Sequence, residues 1–197
     1  YKGKKVGSLV DLTCFSFNPV KNLGAMGDAG AVTGKKELID KVRMYRNHGR
    51  RTQFEYDVVG YNSRIDNLQA VVIESKLKKL NEWTEKKRKI CHRYTSELKG
   101  IVKCPEEAPW SYHTYYVYVI ETPERTRNAL QKHLKAKGIQ TNIHYRSPTH
   151  TTKAFEQYGT KLPRTEYVCD NILSLPCYFT LPKHHQDYII KAIKEFY

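Results

Sequence analysis

The chain has 197 residues, 40% of them hydrophobic, with five cysteines and a formal net charge of +14. That length buries a sizeable core, as one domain plus part of another, and no apolar run approaches the roughly 20 residues that span a bilayer. The cysteines include no Cys-x-x-Cys pair, which argues against a disulfide framework or a zinc site and points to a reducing cytoplasm.

Residues 9–17 are mostly apolar and read as a strand, with 30–33 as its partner. Residues 36–47 carry Leu38, Ile39, Val42 and Tyr45 at helical spacing. The polar, aromatic stretch 52–63 reads as a loop. A long helix is expected over 66–98, with a break or bend because its apolar positions are only roughly periodic, and Gly100 closes it. Residues 105–110 form a linker, and the domains divide there into 1–104 and 105–197. Residues 115–121 alternate like a strand. Pro123 opens a helix to about residue 137, stopped by Gly138. A strand over 139–145, short helices over 151–158 and 164–173 and an amphipathic helix over 182–197 complete a small α/β domain with a mixed or antiparallel sheet.

The most informative stretch is Ser16-Phe17-Asn18-Pro19-Val20-Lys21-Asn22-Leu23-Gly24. It sets one lysine in a short turn between two strands, among small residues that allow close backbone approach. A lysine held there is placed to form a Schiff base rather than to be a solvated surface charge. Gly24, Gly27 and Gly30 serve the turn and lack the spacing of a nucleotide-binding fingerprint.

Four ordered blocks carry a resemblance. They are the lysine stretch from Cys14 to Gly24, Tyr45-Arg46-Asn47-His48-Gly49, Gly60-Tyr61-Asn62-Ser63-Arg64, and the pair His144-Tyr145-x-x-Pro148-x-His150 and Ile172-Leu173-Ser174-Leu175-Pro176. Together they resemble the DegT/DnrJ/StrS family of sugar aminotransferases, which have the fold-type I architecture and use pyridoxal 5'-phosphate. The resemblance implies an α/β chain made of the end of the large cofactor domain plus the small C-terminal domain. It implies that Lys21 binds the cofactor, that Ser16 donates to its phosphate, and that Asn62 reaches the phosphate in a neighbouring subunit of a dimer. Arg64 meets a substrate anion or supports the same interface, His48 and Gly49 line that interface, and His144, Tyr145 and His150 line the sugar pocket. No metal is expected.

The resemblance begins in the middle of longer family members, and the first residue is Tyr1. The chain therefore reads as a C-terminal half that needs an N-terminal half, on the same or a separate polypeptide. The acid that pairs with the pyridine nitrogen and the ring-stacking aromatic belong to that other half. The implied reaction moves an amino group from an amino acid, glutamate first, to a keto sugar, nucleotide-linked, and Lys21 argues against the family's histidine-bearing dehydratases. Two alternatives stay open: a regulatory or structural relative without transaminase activity, and a basic nucleic-acid-binding domain. Against the latter, the charge is spread along the chain and no helix-turn-helix, zinc-finger or ribonucleoprotein spacing is present.

Overall fold

The computed structural model describes residues 1–197, which separate into two compact units. The first comprises residues 1–82 and 108–112, the second 83–107 and 113–197.

In the first unit, strand β1 (Leu12–Ser16) pairs antiparallel with β2 (Gly30–Gly34), Leu12 opposite Gly34 and Ser16 opposite Gly30. The strand starts later than residue 9 because Val6–Ser8 form a 3-10 turn, whose Val6 carbonyl takes the Leu9 N–H at 3.2 Å. Helix α1 (Lys36–Tyr45) stops short of residue 47, since Asn47 leaves it to bridge Asn62. Residues 52–63 are a loop. The expected long helix is two: α2 (Asn67–Leu77) and α3 (Leu80–Leu98), separated where the Lys79 N–H bonds the Lys76 carbonyl at 2.9 Å and ends the i→i−4 ladder. Among the hydrophobic side chains of this unit only Ala25 and Ile73 are buried, while Leu68 on α2 is 82% exposed.

The second unit is built on the buried stripe of α3, Thr84, Lys87, Cys91, Tyr94 and Leu98, whose three- and four-residue spacing follows the helical period. Strand β3 (Tyr118–Glu121), helix α4 (Arg127–Ala136), helix α5 (Pro163–Asn171), strand β4 (Ile172–Leu175) and helix α6 (Lys183–Lys194) complete it. β3 and β4 pair antiparallel, Tyr118 opposite Leu175. Tyr94, Leu98, Ile120, Leu130, Leu134, Leu173 and Ile193 are fully buried in one core. Each sheet is two-stranded and antiparallel.

Five expectations for this unit are corrected. β3 starts at Tyr118 rather than at residue 115, where Tyr115 takes a left-handed φ of 46°, and α4 starts at Arg127 rather than at Pro123, because Arg125 turns the chain with φ of 62°. Residues 172 and 173 are not a helix end but the start of β4. Asn171 ends α5 by turning to the neighbouring strand end: its carbonyl accepts from the Thr122 N–H at 2.8 Å and hydroxyl at 2.9 Å, and its Oδ1 accepts from the Arg125 N–H at 3.2 Å. Residues 139–145 form no strand. Only Asn142 bridges Ser174, because the Asn142 Oδ1 takes the adjacent Ile143 N–H at 2.8 Å and breaks the ladder. Residues 151–158 hold two 3-10 turns, Thr149–Thr151 and Glu156–Tyr158, in place of an α-helix. There the Thr151 and Thr152 hydroxyls bond carbonyls three residues back, at 2.9 and 2.7 Å, and compete with the helix. No helix is long and apolar enough to cross a membrane.

Glu107 ties the chain after α3 back to that helix. Its carboxylate accepts from Arg88 at 2.7 Å, from His92 at 3.1 Å and from the His113 N–H at 2.6 Å. Burial pushes this carboxyl up, but the Arg88 guanidinium and the other donors outweigh it and hold it at about 2, below its ordinary 4.5. A carboxyl depressed on folding adds stability above its unfolded value, and that contribution is lost as pH falls toward the folded one. Urea midpoints measured from about pH 5 down to about pH 3 will therefore fall more steeply in the wild type than in Glu107→Gln.

Candidate active site

The lysine loop begins where β1 ends. Past Ser16, the Phe17 N–H bonds the Ala29 carbonyl and the Ala25 N–H bonds the Phe17 carbonyl, both at 2.8 Å, so the hairpin continues while the intervening residues bulge out. Asn18-Pro19-Val20-Lys21 is a β-turn closed by the Lys21 N–H on the Asn18 carbonyl at 2.9 Å, with proline at the position that its fixed φ favours. The Asn18 Oδ1 accepts the Val20 N–H at 3.2 Å, an Asx turn inside the β-turn, and its Nδ2 donates to Asp28 at 2.7 Å across the neck of the loop. Lys21 is half-buried.

Gly24 lies against the start of this turn. A Cβ there would stand 2.4 Å from the Pro19 carbonyl oxygen, so only glycine permits the approach. Helix α2 then grips the return limb. Its Lys76 ammonium donates to the Gly24 carbonyl at 2.6 Å, and its Gln69 Oε1 accepts the Met26 N–H at 2.8 Å. Sequence reasoning passed over Asp28, Gln69 and Lys76 because their partners are distant in the chain.

Ser16 is exposed at the strand end, and its Oγ accepts the Asn18 N–H at 3.3 Å. That bond uses the oxygen and leaves the hydroxyl hydrogen for donation to an anion. The geometry is compatible with donation from this serine to a phosphate.

Asn62 and Arg64, both exposed, follow a backbone clip. The His48 N–H bonds the Tyr61 carbonyl at 2.8 Å, the Tyr61 N–H bonds the Tyr45 carbonyl at 2.7 Å, and the Ser63 N–H bonds the Arg46 carbonyl at 2.8 Å. Gly49 sits at the closure with φ of 76°, where a Cβ would lie 1.7 Å from the Val58 carbonyl oxygen. The second and third sequence motifs are thus the two sides of one clip.

His144, Tyr145 and His150 belong to the second unit. His144 Nδ1 lies 2.8 Å from the Ser174 Oγ and its Nε2 3.3 Å from the Asn142 Nδ2, and it lines a cavity of about 370 Å³. Tyr145 is 68% exposed. His150 is held locally: its Nε2 meets Glu166 at 3.0 Å, and this bond holds the Glu166 carboxyl below its usual range. Ser16 and Lys21 are brought together on one hairpin, Asn62 and Arg64 on one clip, and His144 onto Ser174 of β4.

The profile of the DegT/DnrJ/EryC1/StrS aminotransferase family matches residues 1–194. The chain is 39% identical over its whole length to a pleiotropic regulatory protein of Geobacillus stearothermophilus, of which it covers 55%. It is also 39% identical to a UDP-N-acetyl-3-dehydro-alpha-D-glucosamine 3-aminotransferase of Acidithiobacillus ferrooxidans, with 89% of this chain and 48% of that protein aligned. Among solved structures, DesV of S. venezuelae, in complex with a ketimine intermediate, superposes with a TM-score of 0.94 at 35% identity, covering 100% of this chain and 54% of that one. The chain spans about half the length of the curated relatives it matches.

The grip of α2 on the loop is open to measurement. Gln69→Leu removes the acceptor of the Met26 N–H, and a net hydrogen bond of about 1 kcal/mol corresponds to about fivefold faster hydrogen exchange at that amide. The Phe17 and Ala25 amides, held by the hairpin, will keep their protection.

Proposed function

The chain belongs to the DegT/DnrJ/EryC1/StrS aminotransferase family, and on that footing we propose that the protein containing it transfers an amino group from an amino acid, glutamate first, to the ketone of a nucleotide-linked sugar. The supporting observation is the Lys21 turn, fixed by its own Asn18 bond, by the Gly24 contact with Pro19 and by Lys76 of α2. An amine on such a backbone is held for chemistry.

Pyridoxal 5'-phosphate is the proposed cofactor, and the donor set fits it: one amine for an aldehyde carbon, and a hydroxyl with a hydrogen to give for a phosphate. When bound, this cofactor supplies an electron-accepting ring. Lys21 holds the aldehyde carbon at rest. With the donor bound, the Lys21 amine would take the proton from the donor's α-carbon as general base and give it, as general acid, to the carbon that carried the aldehyde. Ser16 donates to the phosphate, and Asn62 reaches the phosphate of the neighbouring subunit in a homodimer with shared sites. The Arg64 guanidinium offers a bidentate fork to a phosphate or carboxylate of the substrate. His144, Tyr145 and His150 contact the sugar, His150 with its Nε2 committed to Glu166.

In this reading residues 1–104 belong to the cofactor domain and 105–197 form the small domain. The site is completed by an N-terminal half that supplies the acid for the pyridine nitrogen, and the exposed apolar side chains of the first unit, Leu68 among them, fit burial against further protein. A cytoplasmic location is in keeping with five cysteines that include no Cys-x-x-Cys pair.

The test uses the full-length protein loaded with pyridoxal phosphate. Borohydride reduction is expected to fix the cofactor's mass on Lys21, and glutamate is expected to be converted to its keto acid in one half reaction. Lys21→Ala will lose both. Cofactor retained without any amine transfer would overturn the enzymatic reading and match a regulator.

A further inference from the structure

The geometry points to a dithiol modification site at Cys91 and Cys177: we propose that a peroxide oxidises Cys177 and that Cys91 resolves it to a disulfide. This inference stands independently of the transfer reaction proposed above.

The two sulfurs lie 3.0 Å apart although the residues are far apart in sequence. Their positions are fixed from several sides. Cys91 is on the buried stripe of α3 and fully buried. One turn further along that stripe, the Tyr94 hydroxyl donates to the carbonyl of Pro176 at 3.1 Å, which anchors the residue just before Cys177. One turn earlier, the buried Lys87 ammonium donates to the Tyr116 carbonyl at 2.9 Å. A disulfide requires about 2.05 Å between sulfurs, so the pair has about 1 Å to close.

The two thiols are not equivalent. The bond from the Cys91 thiol pulls the Cys177 thiol below its ordinary range, and the Lys87 charge adds to this against burial. The same bond, with burial, pushes Cys91 up. Access follows the same asymmetry. Cys177 is partly exposed and lines the cavity of about 370 Å³ that also holds Tyr116, Asn142, His144 and Ser174. Cys91 has no exposed surface. Cys177 is therefore the attacking thiol and Cys91 the resolving one.

The chemistry balances with a hydroperoxide as oxidant. The Cys177 thiolate attacks the terminal peroxide oxygen, forming the S–O bond as the O–O bond breaks, and the leaving oxygen takes a proton to become water or an alcohol. Cys177 is then a sulfenic acid. The Cys91 sulfur attacks it, the S–S bond forms, the S–O bond breaks, and hydroxide leaves with the Cys91 proton as water. Two thiols and one peroxide give one disulfide, one water and one water or alcohol. The product removes a thiol from the wall that carries His144.

The experiment exposes the intact protein to rising hydrogen peroxide, quenches in acid, labels remaining thiols under denaturing conditions and maps them by mass spectrometry. Cys91 and Cys177 are expected to lose label together, in a linked peptide pair lighter by two hydrogens, and to recover it with dithiothreitol. The exposed Cys14 is the unpaired reference. In Cys91→Ala, Cys177 will stop at a sulfenic acid that dimedone traps; in Cys177→Ser, Cys91 will keep its thiol. Three wild-type results, none of which needs a variant to fold, would each overturn the proposal. They are labelling of both thiols at a dose that oxidises Cys14, oxygen added to Cys177 with no link to Cys91, and a link from Cys177 to any other residue.

Discussion

A backbone-to-backbone contact governs the first unit. Gly24 approaches the Pro19 carbonyl so closely that no side chain fits between them. That approach lets the loop fold onto its own turn, sets the Gly24 carbonyl where Lys76 reaches it and leaves the Met26 N–H facing Gln69. Proline contributes a preset φ, Asn18 closes the turn, and α2 clamps the return limb. Each device is weak by itself, a net hydrogen bond being worth about 1 kcal/mol, but they act on the same few residues around Lys21.

The second unit solves a different problem. One stripe of α3 must serve a hydrophobic core and also meet polar groups. Tyr94 and Leu98 fill the core, while the Tyr94 hydroxyl and Lys87 reach the partly buried carbonyls of Pro176 and Tyr116, and Arg88 the carbonyl of the exposed His113. The outer side of α3 is joined to α6 by charge, Arg93 to Asp187 and Glu97 to Lys194 at 2.8 Å, and by the buried Gln186 side chain, which donates to the Ile90 carbonyl at 2.7 Å. The Gln186 bond is shielded from solvent; the ion pairs are partly exposed and count for less.

Much of this was legible in the sequence where local pattern and tertiary demand agree. The lysine hairpin, α1 and α6 follow from periodicity and from proline and glycine placement; for α4 the body and the stop at Gly138 were legible, but not its start at Arg127, four residues past Pro123. The failures have a common cause. Ile172-Leu173-Ser174-Leu175 is an apolar run that suits the end of a helix or a buried strand equally, and what decides is the use of Asn171 by Thr122 and Arg125. Residues 139–145 alternate like a strand, yet Asn142 turns on its own neighbour. In the candidate site, Lys21 and Ser16 could be named from the sequence because the motif is contiguous. Gln69 and Lys76 became meaningful only when folding brought α2 to the loop, and the meeting of Cys91 with Cys177 is invisible to any local pattern.

The clip formed by residues 45–49 and 58–63 has a consequence for chain integrity. Its hydrogen bonds lie on both sides of a tip that carries Arg50, Arg51 and an exposed Phe54, residues that digestive proteases favour. A cut at the tip separates the chain covalently but leaves the Tyr45 and Arg46 carbonyls bonded to Tyr61 and Ser63. A nicked molecule would stay together and migrate as two pieces only after denaturation, with Lys21 on one piece and Asn62 and Arg64 on the other.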